Sequence, residues 1–273
     1  MLRLVEIELH NNCNRKCDWC SNKLIEERQT CFDYMDEITL INITVDLNRM
    51  NYQGYISFSR YNEPFKGMYD KDDFWQMELL KNHLPNCTFV SNTNGDYLDK
   101  GSFDLISLYI NELTIMNYDG LTKEKMISNL NYWANRDMEI QEVNKGLYTE
   151  YNGMKILYAN WEGWNITDRG GLLESYSHTE RCFPCYEPYY FIGINWDGTV
   201  SPCCNIRSPQ EFPEHTFYTL GNINQTPLKD MLESDKMKEI KLMATEHWQE
   251  SPCEFCQNTG GRYTREKGGI MYD

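Results

Sequence analysis

The chain has 273 residues, of which 41 are acidic and 26 basic, giving a formal net charge of -15. This charge argues against nucleic acid as a main partner, because affinity for nucleic acid comes largely from neutralising phosphates. No segment approaches the length of a membrane-spanning helix, and the first ten residues lack the apolar core of a signal peptide. We therefore expect a cytoplasmic protein without membrane or nucleic-acid partners, in which the clustered cysteines among its 11 hold metal rather than form disulfides.

Strand-like and helix-like segments alternate through the first half of the chain. Strands are predicted at 2–9, 54–59, 87–91, 112–116 and 138–143, and helices at 34–50, 72–84, 102–109 and 122–135. Connections of this length require parallel strands with helices packed outside them. The predicted fold class is α/β, with a partial (β/α)6 barrel of TIM type over residues 1–165 and a small cysteine-rich α+β extension over 166–273.

The first chemical feature is a loop with cysteines at positions Cys13, Cys17 and Cys20, directly after the first strand. Three cysteines at this spacing can hold three corners of a 4Fe-4S cube and leave one iron open to a small chelating molecule. Zinc knuckles also use C-x2-C pairs and remain an alternative on spacing alone. The next cysteines along the chain, Cys31 and Cys87, are interpreted as buried thiols.

Polar segments follow the second and third predicted strands, at residues 60–64 and 92–96. Chemistry in a parallel sheet collects at the carboxyl ends of its strands, so both segments should face the cysteine loop. Glu63 is suited to accept a hydrogen bond from an ammonium group, and Pro64 would fix the turn that aims it.

A second set of cysteines lies in the last third of the chain. Asp197 and Gly198 between two apolar runs predict a hairpin, and a helix is predicted from residue 226 to near 248. Together they allow four thiolates to converge, either on iron and sulfur or on a structural zinc ion. The cysteines concerned are Cys182, Cys185, Cys203, Cys204, Cys253 and Cys256.

These motifs resemble those of the radical S-adenosylmethionine (SAM) superfamily. The first loop resembles the family's cluster-binding motif, the segment 61–64 its G-G-E-P loop, and the segment 93–95 its T-N-G turn, although Asn62 stands where glycine is usual. The resemblance implies that the loop cysteines hold a 4Fe-4S cluster whose open iron takes the amino and carboxylate groups of SAM. It also implies a set of SAM-binding residues, namely Trp19, Tyr61, Asn62, Glu63, Pro64, Asn94 and Gly95.

The C-terminal part resembles the SPASM and twitch extensions of that superfamily, which bind an auxiliary 4Fe-4S cluster. Either Cys185 or Cys182 fits the first ligand position of the pattern, and Cys185 is preferred because it lies closer to the first hairpin strand. No cysteine follows Cys256, so we expect the twitch form with one auxiliary cluster. The implied ligands are Cys185, Cys203, Cys253 and Cys256, and the roles of Cys182 and Cys204 are left open.

The segment 167–171 resembles an N-R-G-G stretch of twitch-domain aminocyclitol dehydrogenases, with Asp168 in place of asparagine. The resemblance implies that Arg169 lies between the clusters and binds a substrate hydroxyl or carboxylate as a catalytic residue; a surface arginine is the alternative. It further implies reductive cleavage of SAM and hydrogen abstraction from a small polar molecule such as an amino sugar or cyclitol. The auxiliary cluster would accept a second electron, making the net reaction an oxidation.

Two other functions remain open from the sequence. One is a maturase that modifies or cross-links a ribosomally made peptide, and the other is a non-catalytic iron-sulfur or zinc module. The expected partners are therefore a small-molecule substrate or a peptide, together with an electron donor such as flavodoxin or ferredoxin. Trp161, Trp164 and Tyr189 are candidates for the pocket wall, the two tryptophans being close to Arg169 in sequence; packing in the core is the alternative for each.

Overall fold

The computed structural model describes residues 2–68, 71–161, 168–173, 180–247 and 252–257. No helix within these ranges has the length and apolar character needed to cross a bilayer. The strands, numbered along the chain, are β1 (Leu4–Ile7), β2 (Tyr55–Ser57), β3 (Thr88–Thr93), β4 (Glu112–Asn117), β5 (Gln141–Val143), β6 (Gly146–Tyr151), β7 (Met154–Asn160), β8 (Phe191–Ile194), β9 (Thr199–Ser201) and β10 (Gly221–Asn222). The helices are α1 (Glu27–Thr30), α2 (Glu37–Arg49), α3 (Trp75–His83), α4 (Lys100–Tyr109), α5 (Lys123–Ala134), α6 (Glu187–Tyr190), α7 (Leu228–Glu233) and α8 (Asp235–Thr245).

All these strands belong to one open sheet in the order β10-β9-β8-β1-β2-β3-β4-β7-β6-β5. The strands from β8 to β7 in this order are parallel to one another. Antiparallel pairs extend the sheet at both edges. The predicted α/β class with a partial barrel is confirmed.

Alternation along β1 separates an apolar layer from a polar surface. Val5 and Ile7 are fully buried and pack in the same core as Leu40 and Ile43 of α2. Glu6, between them in the strand, points to the opposite side and lines a pocket. Because successive side chains of a strand face opposite sides, the helices cover one face and leave the other for a site.

The last parallel position of the barrel is not filled by the predicted strand 138–143. That segment supplies only the short edge strand β5, and β7 pairs in parallel with β4 instead. β7 is reached through a hairpin in which Asn152 has φ +50° and Gly153 φ +82°. An Asn-Gly pair with both residues at positive φ is the favoured two-residue hairpin turn, and it is the local signal that identifies β7.

The predicted helix 226–248 is wrong as a single helix, because Ser234 divides it into α7 and α8. The Ser234 side chain accepts a hydrogen bond from the Met237 N–H at 3.1 Å, which makes Ser234 the N-cap of α8. The helix therefore restarts at Ser234, although the apolar periodicity continues across this position. At the start of α7, the Leu228 N–H donates to Asp46 Oδ2 of α2 at 2.7 Å, which ties the C-terminal helices to the barrel.

Strand β8 joins the C-terminal segment to the barrel by pairing in parallel with β1. Arg60, just beyond β2, reaches across this strand at Gly193, where an added Cβ would lie 1.8 Å from Arg60 Nη1. Arg60 Nε donates to Asn195 Oδ1 at 2.9 Å, and Nη2 donates to the Ile206 carbonyl. Only glycine at 193 leaves room for this crossing.

Arg28 forms the most deeply buried ion pair described, with Glu8. Its guanidinium donates to Glu8 Oε1 at 2.7 Å and to Glu211 Oε1 at 2.5 Å and Oε2 at 2.8 Å. The side chains of Arg28 and Glu8 are 1% and 0% exposed. Burial alone would raise the pKa of Glu8, but Arg28 holds it below its usual value. Residues far apart in sequence are thus joined under the sheet, and Arg28 also accepts the Cys13 N–H through its carbonyl at 2.9 Å.

Replacing Arg28 by Gln should destabilise the protein by about 3–5 kcal/mol, because it removes the ion-pair partner of the buried Glu8 and leaves Glu211 with Arg207 alone, at 2.9 Å. In a protein of this size the apparent Tm should fall by roughly 10 °C in anaerobic circular dichroism melts. Arg49→Gln is the matched control, since Arg49 is 74% exposed and lies 3.8 Å from Asp46. Equal shifts for the two variants would contradict the assignment of a structural role to the buried pairs.

Candidate cofactor and substrate site

A pocket of about 240 Å³ lies at the carboxyl ends of the parallel strands. It gathers segments that are distant in sequence: the cysteine loop, the segments after β2, β3, β4 and β7, and a loop that carries Arg169. The lining residues used below are Glu6, Cys13, Arg15, Cys17, Trp19, Cys20, Asn22, Ser59, Arg60, Tyr61, Asn62, Glu63, Asn92, Asn94, Tyr118, Trp161, Arg169 and Cys204.

The three cysteines of the first loop face this pocket together, as their spacing predicts. The Cys20 N–H donates to the Cys17 carbonyl at 3.0 Å, which closes the turn between the second and third thiols. Burial raises the pKa of Cys13 to about 12 and that of Cys17 to about 11. Thiols with raised pKa values are protonated at neutral pH, and they bind a metal only when the metal displaces their protons.

Arg15, between the first two cysteines, clamps the loop to its neighbours. Its guanidinium donates to Asp96 Oδ1 at 2.6 Å and to Asp119 Oδ2 at 2.8 Å. Asn94 Nδ2 donates to Asn14 Oδ1 at 2.8 Å beside it. The sequence placed residues 92–96 near the loop, but it gave no sign of these ion pairs. They fix the cysteine loop against the ends of β3 and β4.

Glu63 connects the two SAM-type motifs. Its carboxylate accepts the Thr93 hydroxyl at 2.5 Å and the Asn94 N–H at 2.8 Å, and its own N–H donates to the Asn12 carbonyl at 3.0 Å. Burial raises the pKa of Glu63 to about 7, although these hydrogen bonds oppose the rise. The carboxylate is therefore held rigidly at the pocket wall by the segment that resembles the T-N-G turn.

Several buried polar atoms at the pocket have no hydrogen-bond partner among the residues described. They include Asn62 Nδ2 and Asn22 Oδ1, and also Arg60 Nη1, whose nearest charged group is Glu6 Oε2 at 3.6 Å. Buried polar atoms normally have partners, so this wall suits a polar ligand such as the amino acid part of SAM. Asn62 thus adds a side-chain donor where the related motif has glycine, while its Oδ1 accepts the Arg60 N–H at 3.1 Å.

Aromatic rings form another wall of the pocket. Trp19 stacks on Trp161 with ring centroids 4.7 Å apart, and Tyr118 meets Trp161 edge to face at 5.1 Å. Trp161 thus lines the pocket, whereas Trp164 lies outside the described residues. Rings in this arrangement offer an apolar surface beside the polar wall.

Arg169 reaches the pocket from a tight loop. It has φ +56°, and Gly170 and Gly171 follow at +71° and +87°. The Asp168 carboxylate accepts the N–H groups of both glycines, at 3.2 and 3.1 Å. Arg169 Nε donates to the Trp19 carbonyl at 3.2 Å, next to the third cysteine of the loop. A left-handed backbone conformation at a non-glycine residue costs free energy. The loop maintains this conformation at Arg169, which directs the Arg169 side chain into the pocket.

The remaining predicted SAM-binding residues have different positions. Tyr61 lines the pocket, and its hydroxyl donates to the Cys204 carbonyl at 2.8 Å. Pro64 and Gly95 are not among the lining residues. Gly95, at φ +80°, shapes the turn after β3.

The C-terminal cysteines are drawn together around Arg181 and Asn205. Asn205 Nδ2 donates to Cys256 Sγ at 3.2 Å, and the Asn205 N–H donates to Cys203 Sγ at 3.4 Å. The Glu187 N–H similarly donates to Cys185 Sγ at 3.5 Å. Each of these three sulfur atoms thus accepts an N–H group, and N–H donors to sulfur suit thiolates that ligate an iron-sulfur cluster.

The four remaining cysteines have distinct environments. Cys182 is exposed, in contrast to the buried Cys185. Cys204 lines the pocket next to Cys203 and was not recognised as a pocket residue from sequence. Cys31 is also exposed, so its interpretation as a buried thiol is wrong, because only its backbone is held by α1; Cys87 is buried as predicted.

Among the residues described, no three His, Cys, Asp or Glu side chains are arranged to hold a single metal ion. Thiolates serve zinc and iron-sulfur sites alike, so the residues alone do not choose between these metals.

The family comparison bears on the second cysteine set. Residues 185–258 match the model of the SPASM family, described as an iron-sulfur cluster-binding domain. The match begins at Cys185. Over 262 residues the chain is also 24% identical to S-adenosyl-L-methionine-dependent 2-deoxy-scyllo-inosamine dehydrogenase from Niallia circulans, covering 94% of each chain.

Solved structures with the same fold include BtrN in complex with AdoMet and 2-DOIA. That structure has a TM-score of 0.74 and 20% identity, and the match covers 99% of this chain and 98% of BtrN. Native anSMEcpe with bound AdoMet has a TM-score of 0.52 and 15% identity, covering 98% of this chain and 92% of the other. The chain therefore shares the fold of BtrN, and its resemblance to radical SAM enzymes with a SPASM-type iron-sulfur domain is confirmed.

Proposed function

We propose that this protein is a radical SAM oxidoreductase that dehydrogenates a secondary alcohol of an aminocyclitol or amino sugar. One observation carries the proposal: a single pocket joins the three loop cysteines to Glu63 and Arg169. The relative from Niallia circulans is named as a dehydrogenase of 2-deoxy-scyllo-inosamine, and BtrN binds AdoMet and 2-DOIA. The shared fold and this pocket support the same class of reaction here.

The SAM half of the pocket has a defined set of residues in this proposal. Cys13, Cys17 and Cys20 hold three corners of a 4Fe-4S cluster. Glu63 accepts the SAM ammonium group, and Asn62 Nδ2 donates to its carboxylate. When bound, the cluster and SAM supply a 5'-deoxyadenosyl radical that removes one hydrogen atom from the substrate.

The substrate half combines charge and hydroxyl-binding groups. Arg169 donates to a substrate hydroxyl, since a guanidinium offers several donors in a fixed geometry. Ser59 and Asn92 add neutral polar groups, and Glu6 adds an acceptor beside Arg60. The rings of Trp161 and Tyr118 cover the apolar face of a sugar-like ring. Polar groups on one wall and aromatic rings on another suit a small polyhydroxylated molecule.

The second cluster would be held by Cys185, Cys203, Cys253 and Cys256. Cys203 is the immediate neighbour of Cys204, which lines the pocket, so one peptide unit separates the substrate site from a cluster ligand. The Tyr61 hydroxyl donates to the Cys204 carbonyl and so holds the next peptide unit, between Cys204 and Asn205. With four cysteine ligands this cluster has no open iron, and it serves as an electron acceptor. In this proposal the barrel spans residues 1–165 and the cluster domain spans residues 166–273. Strand β8 of the cluster domain pairs with β1 of the barrel, so the two domains share one sheet.

The peptide maturase is the second candidate function. Its support is the anSMEcpe structure with AdoMet and the Cp18Cys peptide, at a TM-score of 0.50 and 15% identity. BtrN is more similar, at 0.74 and 20%. The small-molecule reaction is therefore the leading proposal, with flavodoxin or ferredoxin as the expected class of electron donor.

The function is tested with anaerobically reconstituted protein, dithionite, SAM, and separate panels of aminocyclitols, amino sugars and cysteine-containing peptides. We expect one 5'-deoxyadenosine for each product that has lost two hydrogens, measured by mass spectrometry, with an aminocyclitol or amino sugar. Product from the peptide panel alone would favour the maturase. No 5'-deoxyadenosine under any condition would return the chain to the class of non-catalytic metal modules.

Removal of the two cysteine sets should have different effects. The triple replacement of Cys13, Cys17 and Cys20 by Ala should abolish SAM cleavage and remove about half of roughly eight irons per chain. Replacing Cys253 and Cys256 by Ala should also remove about half the iron but spare some SAM cleavage. Each variant is the control for the other, with iron content and 5'-deoxyadenosine measured in the same sample. Appreciable cleavage by the triple variant would refute the first site.

Glu63→Gln should weaken SAM binding by about ten- to hundredfold, the range for loss of a hydrogen bond to a charged group. Glutamine keeps an acceptor for the Asn94 N–H, so the turn and the iron content should persist. Affinity is measured by anaerobic equilibrium dialysis. Glu112→Gln is the control, since Glu112 is a buried carboxylate that pairs with Lys155 and does not line the pocket. Unchanged affinity in the Glu63 variant would remove this residue from the SAM site.

Arg169→Lys should lower kcat/KM for the substrate by about ten- to hundredfold, because lysine lacks the forked geometry of the guanidinium. SAM cleavage without substrate should change little. Arg49→Lys is the matched control, because Arg49 is 74% exposed and does not line the pocket, so kcat/KM should stay unchanged. If Arg169→Lys impaired cleavage without substrate as much as turnover, the residue would not be a substrate ligand.

A further inference from the structure

Arg181 lies among the C-terminal cysteines and is almost fully buried, at 4% exposure. Its Nε donates to the Cys256 carbonyl at 2.6 Å, and its backbone N–H donates to the Glu254 carbonyl at 2.6 Å. These two bonds fix the arginine to the segment that carries the last two cysteines. The guanidinium is therefore a permanent part of this site rather than a mobile surface group.

Arg181 brings a fixed positive charge next to a predicted cluster ligand, because its Nε donates to the carbonyl of Cys256 itself. Cys253, another predicted ligand, lies three residues earlier in the same segment. The fully buried Glu187 lies beside a third ligand, since its backbone N–H donates to Cys185 Sγ at 3.5 Å. A cation and an anion are thus both buried next to predicted cluster ligands.

We propose that Arg181 is a positioning and tuning residue that raises the reduction potential of the auxiliary cluster. Reduction adds one negative charge to a cluster, and a buried cation stabilises the reduced form more than the oxidised form. Charge next to the ligands is one of the means by which proteins set such potentials. The residue acts through electrostatics and contacts neither SAM nor substrate.

The inference rests on the proposed function and defines what the auxiliary cluster must do in it. After loss of one hydrogen atom, the substrate carbon radical gives one electron to the cluster and its hydroxyl proton to solvent, and the C=O bond forms. The electron leaves the cluster for an external acceptor of the flavodoxin or ferredoxin class. A higher reduction potential of the auxiliary cluster favours electron transfer from the substrate radical to the cluster.

The test is an EPR-monitored redox titration of the full-length protein with both clusters reconstituted. In Arg181→Gln, we expect the reduction equilibrium of the auxiliary cluster to shift at least tenfold towards the oxidised form, which is 59 mV for one electron. The first cluster should not shift. Arg181→Lys keeps the charge and should shift less than the Gln variant. A parallel titration of the variant in which Cys13, Cys17 and Cys20 are replaced by Ala identifies the EPR signal of the auxiliary cluster.

Lys241→Gln is the matched control, because Lys241 is a cation on the neighbouring α8 that packs over the Tyr189 ring instead of the cysteines. The reduction potential of the auxiliary cluster in Lys241→Gln should equal that of the unsubstituted protein. An unshifted auxiliary potential in Arg181→Gln with full iron would overturn the proposal. Loss of auxiliary iron in both Arg181 variants would also overturn it, since the arginine would then serve assembly. SAM cleavage in the same samples tests the proposed function independently.

Discussion

The buried ion pairs of Arg28 are the interaction on which the geometry of this molecule depends. A charge this far from water is tolerated only with its counter-charges in place, so Glu8 and Glu211 cannot move independently of it. Glu8 follows the central strand, and Glu211 follows the hairpin of the C-terminal segment. Because the same residue holds the backbone of Cys13, the first cysteine loop and the C-terminal segment share one support.

The site above this support is assembled mainly by bonds between loops. Arg15 reaches the segments after β3 and β4, Glu63 holds the turn after β3, and Arg169 meets the backbone of Trp19. Each bond joins two segments that are distant in sequence. A site linked in this way is largely preorganised before any cofactor binds, which reduces the conformational entropy lost on binding.

Features with a fixed local spacing could be predicted from the sequence, and features made by distant partners could not. The cysteine loop, the Asp-Gly hairpin and most barrel elements have a local pattern that reports a local geometry. The ion pairs of Arg15 and the crossing of Arg60 over Gly193 join segments with no shared periodicity. The helix break at Ser234 has a local signal, the preference of serine for the N-cap position, but the apolar periodicity that continues across it predicts a single helix.

The position of β1 in the sheet has a consequence for how the protein is made. β1 leaves the ribosome before both of its neighbours in the sheet: it pairs on one side with β2, but its other partner is β8. At ordinary rates of synthesis, β8 follows on the order of ten seconds later or more. During that interval the nascent barrel exposes an unpaired strand edge, which is a template for association with other chains. Completion of the iron-sulfur segment therefore also closes the edge that would otherwise lead to aggregation.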